Sequence, residues 1–144
     1  MLSSDRMGSF IRARVISTKQ IEHFLVTEGK VKIVPKNGSA FLELFPQKNG
    51  ISPSVSVENS KSGTIYSINI DIDLRLPSGL TLPGFNRFVV VLTKPNGEEM
   101  VFGTPWFPLI GFKKPIVSST PAGKEGENLR FEGKQTVYPY LLTG

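Results

Sequence analysis

From Tyr66 to Leu76 every even position is apolar and every odd position is polar or charged, within the segment Thr64–Leu76 that runs Thr-Ile-Tyr-Ser-Ile-Asn-Ile-Asp-Ile-Asp-Leu-Arg-Leu. Side chains of a strand alternate between two faces, so this period of two predicts one long strand with a packed face and a wet face carrying Asp71, Asp73 and Arg75. A shorter strand of the same kind is predicted from Phe10 to Ile16, with Ile11, Ala13 and Val15 opposite Arg12 and Arg14. The clearest hairpin is Arg87–Thr93, a turn over Lys94-Pro95-Asn96-Gly97-Glu98, and a return over Glu99–Phe102. Proline pre-sets the first corner of a type I turn, and glycine takes the left-handed position of the closing bulge.

Elsewhere the pattern is less regular. Ile21, Phe24 and Leu25 fall at helical spacing behind Thr18, which predicts one or two turns of α-helix over Thr18–Leu25, ended by Gly29. Lys30–Val34 and Ala40–Phe45 are predicted to form a hairpin across Pro35-Lys36-Asn37-Gly38. Gln47–Ser54 reads as turn, Val55–Val57 as a brief edge strand, Asn59–Gly63 as a tight reversal, and Pro77–Gly84 as irregular. From Thr104 to Asn128 four prolines and three glycines interrupt any period, while Trp106, Phe107, Ile110 and Phe112 crowd the start. A structureless segment of that length is usually functional or ordered against a partner, so it reads as an extended arm with an adhesive aromatic half and a mobile half from Ser118. Leu129–Tyr138 resumes a strand pattern, and the terminal Tyr140-Leu141-Leu142 predicts a C-terminus that is tied down. The expected architecture is all-β, a mainly antiparallel sandwich or partly closed barrel, with one short α-helix and the long Pro/Gly-rich arm at 104–128 inside a single domain spanning 1–144.

Composition narrows the chemistry. A chain of 144 residues is long enough to bury a self-sufficient core. The absence of cysteine removes disulfides, thiolate metal sites and cysteine nucleophiles at once and fits a reducing compartment. Charges at Asp5, Arg6, Arg12 and Arg14 interrupt the N-terminus, so no signal peptide is expected. The longest compact apolar run, Phe88–Leu92, is far shorter than a membrane span, and a soluble protein is expected. The net charge of +5 is spread evenly, with an excess of three basic residues in 1–72 and of two in 73–144. The densest basic stretch, Arg6, Arg12, Arg14 and Lys19, reads as an ordinary solvated strand face.

Candidate chemistry is sparse. His23 is the only histidine and has no nearby set of ligands or catalytic partners in the sequence. Asp71 and Asp73 stand two apart on one strand face, a spacing that strand geometry produces without any catalytic purpose. Glu98 and Glu99 follow the hairpin turn and read as solubilising. No glycine pattern forms a phosphate cradle between a strand and a helix. No catalytic residue, cofactor or metal ligand is therefore assigned. Trp106, Phe107, Ile110, Phe112 and Ile116 remain as a candidate protein interface, because aromatic residues among prolines favour packing sites.

Read together, Arg87–Leu109 has a distinctive layout: a Phe-Val-Val-Val-Leu strand, a Pro-Asn-Gly turn, a short return strand, Gly103-Thr104-Pro105, and an aromatic-proline-leucine run. This layout resembles small β proteins encoded beside virion genes in phages and prophages of Bacteroidetes-type bacteria, proteins of the neck, tail tube or tail hub. The resemblance implies a non-enzymatic structural subunit of a bacteriophage particle, made in the host cytoplasm and found in the virion. It would assemble as a homo-oligomeric ring with other virion proteins, its arm reaching a neighbouring subunit, without membrane contact. Two other readings stay open: an immunoglobulin-like or carbohydrate-binding module with Trp106, Phe107 and Tyr140 as a stacking platform, and a single-stranded nucleic-acid-binding barrel using Trp106, Phe107, Phe112, Lys113 and Lys114.

Overall fold

Eleven strands join into one mixed sheet in the computed structural model, which describes residues 9–75, 87–116 and 126–143. In chain order they are β1 (Arg12–Ser17), β2 (Ile21–Thr27), β3 (Lys30–Pro35), β4 (Leu42–Leu44), β5 (Pro46–Ser60), β6 (Gly63–Arg75), β7 (Arg87–Thr93), β8 (Glu99–Phe102), β9 (Leu109–Ile116), β10 (Gly126–Gln135) and β11 (Tyr140–Leu142). Hydrogen-bonded neighbours run β2-β3-β11-β8-β7-β9-β10-β6-β5, with β1 on the other edge of β7 and β4 outside β1. Every pairing is antiparallel except that of β11 with β3. No helix among the described residues is long and apolar enough to cross a membrane.

β7 organises the sheet. One of its edges pairs with β1 from Phe88 to Thr93; the other pairs with β8 from Val90 to Thr93 and then with β9 at Arg87 and Phe88. Alternate side chains of β7 enter two different cores. Phe88, Val90 and Leu92 join Ala13, Val15, Met100 and Phe102 against Ile68, Ile70, Ile72, Leu74, Leu129 and Phe131 of β6 and β10. Val89 and Val91 join Val101 and Ile16 beneath Ile21, Phe24 and Val31 of β2 and β3. A strand covered on both faces has no polar side to show, which is why Phe88–Leu92 reads as an unbroken apolar run instead of an alternation. β6 shows the other extreme: Ile68, Ile70, Ile72 and Leu74 are buried, and the residues between them are part-exposed, as their alternation predicts.

The hairpin at Lys94–Glu98 forms as the sequence indicates, closed by Lys94 N–H to Glu98 O (2.8 Å) and Gly97 N–H to Lys94 O (2.9 Å), with Gly97 at φ 90°. The Lys61–Ser62 reversal between β5 and β6 and the tied-down C-terminus also form, β11 lying between β8 and β3.

Four local expectations are corrected. Thr18–Leu25 is not an α-helix: Thr18–Gln20 is a single 3-10 turn with a Ser17 capping box, and Ile21–Thr27 is strand. The pairing register of β2 shifts between Ile21 and His23, so Ile21 and Phe24 reach the same core although three residues apart; the bulge imitates helical spacing. Lys30–Val34 pairs with β2 through a turn at Glu28–Gly29 (φ 50° and 78°), while Leu42–Leu44 crosses to β1. Gln47–Val57 is neither turn nor brief strand but part of the long edge strand β5, where Pro46 and Pro53 are tolerated because one side of an edge needs no ladder hydrogen bonds. Finally, no extended arm is found over the described part of Thr104–Asn128: Leu109–Ile116 is β9 and Gly126–Asn128 opens β10. Pro77–Gly84 and residues 118–125 lie outside the described residues.

Candidate interaction surface

The connection from β8 to β9 leaves β7 after Phe102 and returns to it at Leu109. Its backbone is closed from both ends. Thr104 N–H donates to Phe107 O (3.0 Å), and Phe107 N–H donates to the Thr104 hydroxyl (2.8 Å). Gly103 N–H donates to Gln135 Oε1 (2.9 Å), and Gln135 Nε2 donates to Val137 O (2.7 Å), so a fully buried glutamine fastens the connection to the end of β10. Glycines let these parts approach. Gly103 takes φ 86°, and a Cβ there would stand 3.0 Å from Leu109 Cγ; one on Gly133 would stand 2.9 Å from Leu109 Cδ2 and 3.0 Å from Pro108 O.

This fixed connection holds Trp106 outward at 65% exposure, with Phe107 also exposed beside it. Trp106 packs edge-on against Phe24 at 5.6 Å and 89°, a contact worth about 0.5–1.5 kcal/mol beyond area burial. Ile110 is exposed on β9 on the face opposite Leu109, which is buried. Of the candidate interface residues, the structure thus places Trp106, Phe107 and Ile110 on the surface and leaves Phe112 part-exposed, while the side chain of Ile116 lies outside the described residues. Sequence reasoning missed Gln135, Gly103 and Gly133. A polar residue at an inward position of an otherwise apolar alternation, two beyond Gly133 and four beyond Phe131, was the available signal.

The remaining charged candidates other than His23 make ion pairs or hydrogen bonds within the fold. His23 is exposed on β2. Asp73 accepts from Asn128 Nδ2 (2.9 Å), and Asp71 faces Arg130 at 3.7 Å on the outer face of β6 and β10. Arg12 makes a two-pronged contact with Glu43 of β4, whose hydrogen bonds and then charge raise the guanidinium pKa above its ordinary value. Arg14 pairs with Glu99, which also accepts from Thr93 (3.1 Å), and its guanidinium lies 4.9 Å from the centre of the Phe41 ring. Arg12 and Arg14 of the basic stretch are therefore ion-paired and not merely solvated, while Arg6 lies outside the described residues. Glu98 pairs with Lys94 at the hairpin surface. Among the described residues no three His, Cys, Asp or Glu side chains converge on one point. Tyr140, the third member of the suggested stacking platform, is part-buried and meets Phe24 edge-on at 6.2 Å, so Phe24 stands in contact with both Trp106 and Tyr140.

No protein-family model matches the chain, and neither a curated protein nor a solved structure matches it.

Proposed function

We propose that this protein is a non-enzymatic structural subunit that holds a neighbouring protein chain against the ledge formed by Trp106, Phe107 and Ile110. The observation that carries the reading is the rigid presentation of Trp106: a large aromatic ring is kept in solvent by a connection with both ends hydrogen-bonded. A side chain already fixed in place loses little conformational freedom on binding, and tryptophan anchors of this kind dominate interface energetics. The arm envisaged from the sequence becomes a fixed ledge in this reading. The layout resemblance of Arg87–Leu109 extends it to a homo-oligomeric component of a bacteriophage neck or tail, located in the virion.

Trp106 is the only tryptophan of the chain, so its fluorescence reports on this surface alone. The dilute protein is expected to emit as a water-exposed indole and to shift to the blue on assembly, with stoichiometry read by native mass spectrometry. Trp106→Ser should weaken association by roughly 30-fold or more, the loss of an anchor of about 2 kcal/mol. Unchanged emission through assembly sinks the proposal. A shift produced by oligosaccharide would instead favour the carbohydrate-binding reading, and strongly salt-dependent binding of single strands the nucleic-acid reading.

A further inference from the structure

We propose that the free edge of β2 is continued by the β2 of a second copy of this chain, giving a two-fold dimer in which the sheet runs across the interface; this rests on the homo-oligomeric part of the reading above. Among the described residues three strands have only one neighbouring strand and so one edge unpaired along its whole length: β2, β4 and β5. Exposed edges invite pairing with another chain unless they are blunted. β5 is blunted by Pro46 and Pro53 and by a bulge where Asn49 turns left-handed at φ 58°. β4 is only Leu42–Leu44. β2, Ile-Glu-His-Phe-Leu-Val-Thr, has neither proline nor lysine, keeps its bulge to its start between Ile21 and His23 so that Phe24–Thr27 pairs regularly, and shows Leu25 and Val26 to solvent at 53% and 41% exposure.

The direction of its free hydrogen-bonding groups follows from the strands behind it. The carbonyls of Gly29 in the turn and Val31 in β3 accept from Leu141 and Thr143, so Val31 points its carbonyl away from β2. Lys30 and Lys32 therefore bond back to their partners Thr27 and Leu25. Phe24 and Val26, between and beside them, direct N–H and C=O outward. An antiparallel two-fold pairing centred on Leu25 joins Phe24 of each copy to Val26 of the other through these groups. It brings the two Leu25 side chains together on the outer face and His23 beside Thr27. On the opposite face it carries the copy's Val26 toward Phe24 and the Trp106 ring packed on it. Like charges meet only at the rim, Glu22 beside Glu28, both exposed and screened by solvent. The second copy is the occupant because this register is apolar at its centre and satisfies both copies with the same groups, the self-complementarity that a two-fold interface requires. Ring contacts through the ledge are compatible, since ring and two-fold together generate two stacked rings.

Sedimentation equilibrium of the full chain over a range of concentrations, with amide hydrogen exchange at both extremes, tests the pairing. The expected result is a reversible dimer in which the Phe24 and Val26 amides become protected as the dimer fills. Leu25→Lys, placing two lysines face to face, should weaken the dimer at least tenfold with the melting temperature held. Val26→Pro, which deletes an outward N–H and no bond to β3, should leave a monomer with the same strand spectrum. A chain monomeric at every concentration overturns the inference, as does a dimer that Leu25→Lys leaves unchanged. An assembly in which Phe24 and Val26 amides exchange freely also overturns it while leaving the Trp106 ledge standing, so the two readings fail separately.

Discussion

At the scale of single residues, close approaches around β9 and β10 govern stability. Gly111 faces Phe131, which meets Phe88 edge-on at 5.7 Å, and a Cβ on Gly111 would lie 2.6 Å from Phe131 Cε1. Gly111→Ala should therefore cost about 1–3 kcal/mol by overpacking, measured by urea denaturation. Combining it with Phe131→Leu should cost less than the two single changes added together, because the smaller side chain frees the space the methyl needs. Gln135→Ala removes the acceptor of Gly103 N–H in a buried setting and should cost roughly 1–3 kcal/mol; it should also broaden the Trp106 environment, read as faster fluorescence depolarisation. Glu99 is a further point of contrast with its neighbour. Glu99→Ala leaves the part-buried Arg14 without its carboxylate, whereas Glu98→Ala breaks an exposed pair with Lys94. The first should lower stability by about 1–3 kcal/mol and the second by less than about 1 kcal/mol.

At the scale of elements, strand identity depends on which neighbour is available. The segment Ile21–Thr27 has a helical spacing of apolar residues, yet it pairs with β3 because Glu28 and Gly29 form a two-residue turn with both φ values positive, the turn that suits strand twist. β11 shows how a very short strand matters: its three residues close the gap between β8 and β3, and Thr143 adds backbone and hydroxyl bonds to Val31 O. A chain ending at Pro139 should lose this bridge. Hydrogen exchange should then accelerate first in β2 and β3, the part of the sheet attached through β11, before β6 and β10 respond. Simultaneous loss of protection everywhere would mean that the two cores unfold as one unit.

At the scale of the whole molecule, contacts are made between distant parts of the chain: β1 pairs with β7 from Arg12↔Thr93 to Ser17↔Phe88, and β3 pairs with β11 at Val31↔Leu142. Such pairings require long loops to close before they are rewarded, so folding should be slow, roughly milliseconds to seconds, as stopped-flow fluorescence of Trp106 would record. What the sequence by itself determined is local: the alternation of β6, the turn at Pro95-Asn96-Gly97, the reversal before Gly63 and the all-β class. Each depends on side-chain period or on turn chemistry within a few residues, and so is written where it acts. Tertiary structure alone decided the strand order, the pairing of β3 with β2 and of β4 with β1, the conversion of Leu109–Ile116 from an apparent arm into a strand, and the fastening of the aromatic ledge by Gln135. Backbone hydrogen bonds are the same for every residue, so nothing in a strand names its neighbour; that choice is made by which faces share a core and by where a missing Cβ, as at Gly111 and Gly133, lets two strands come close.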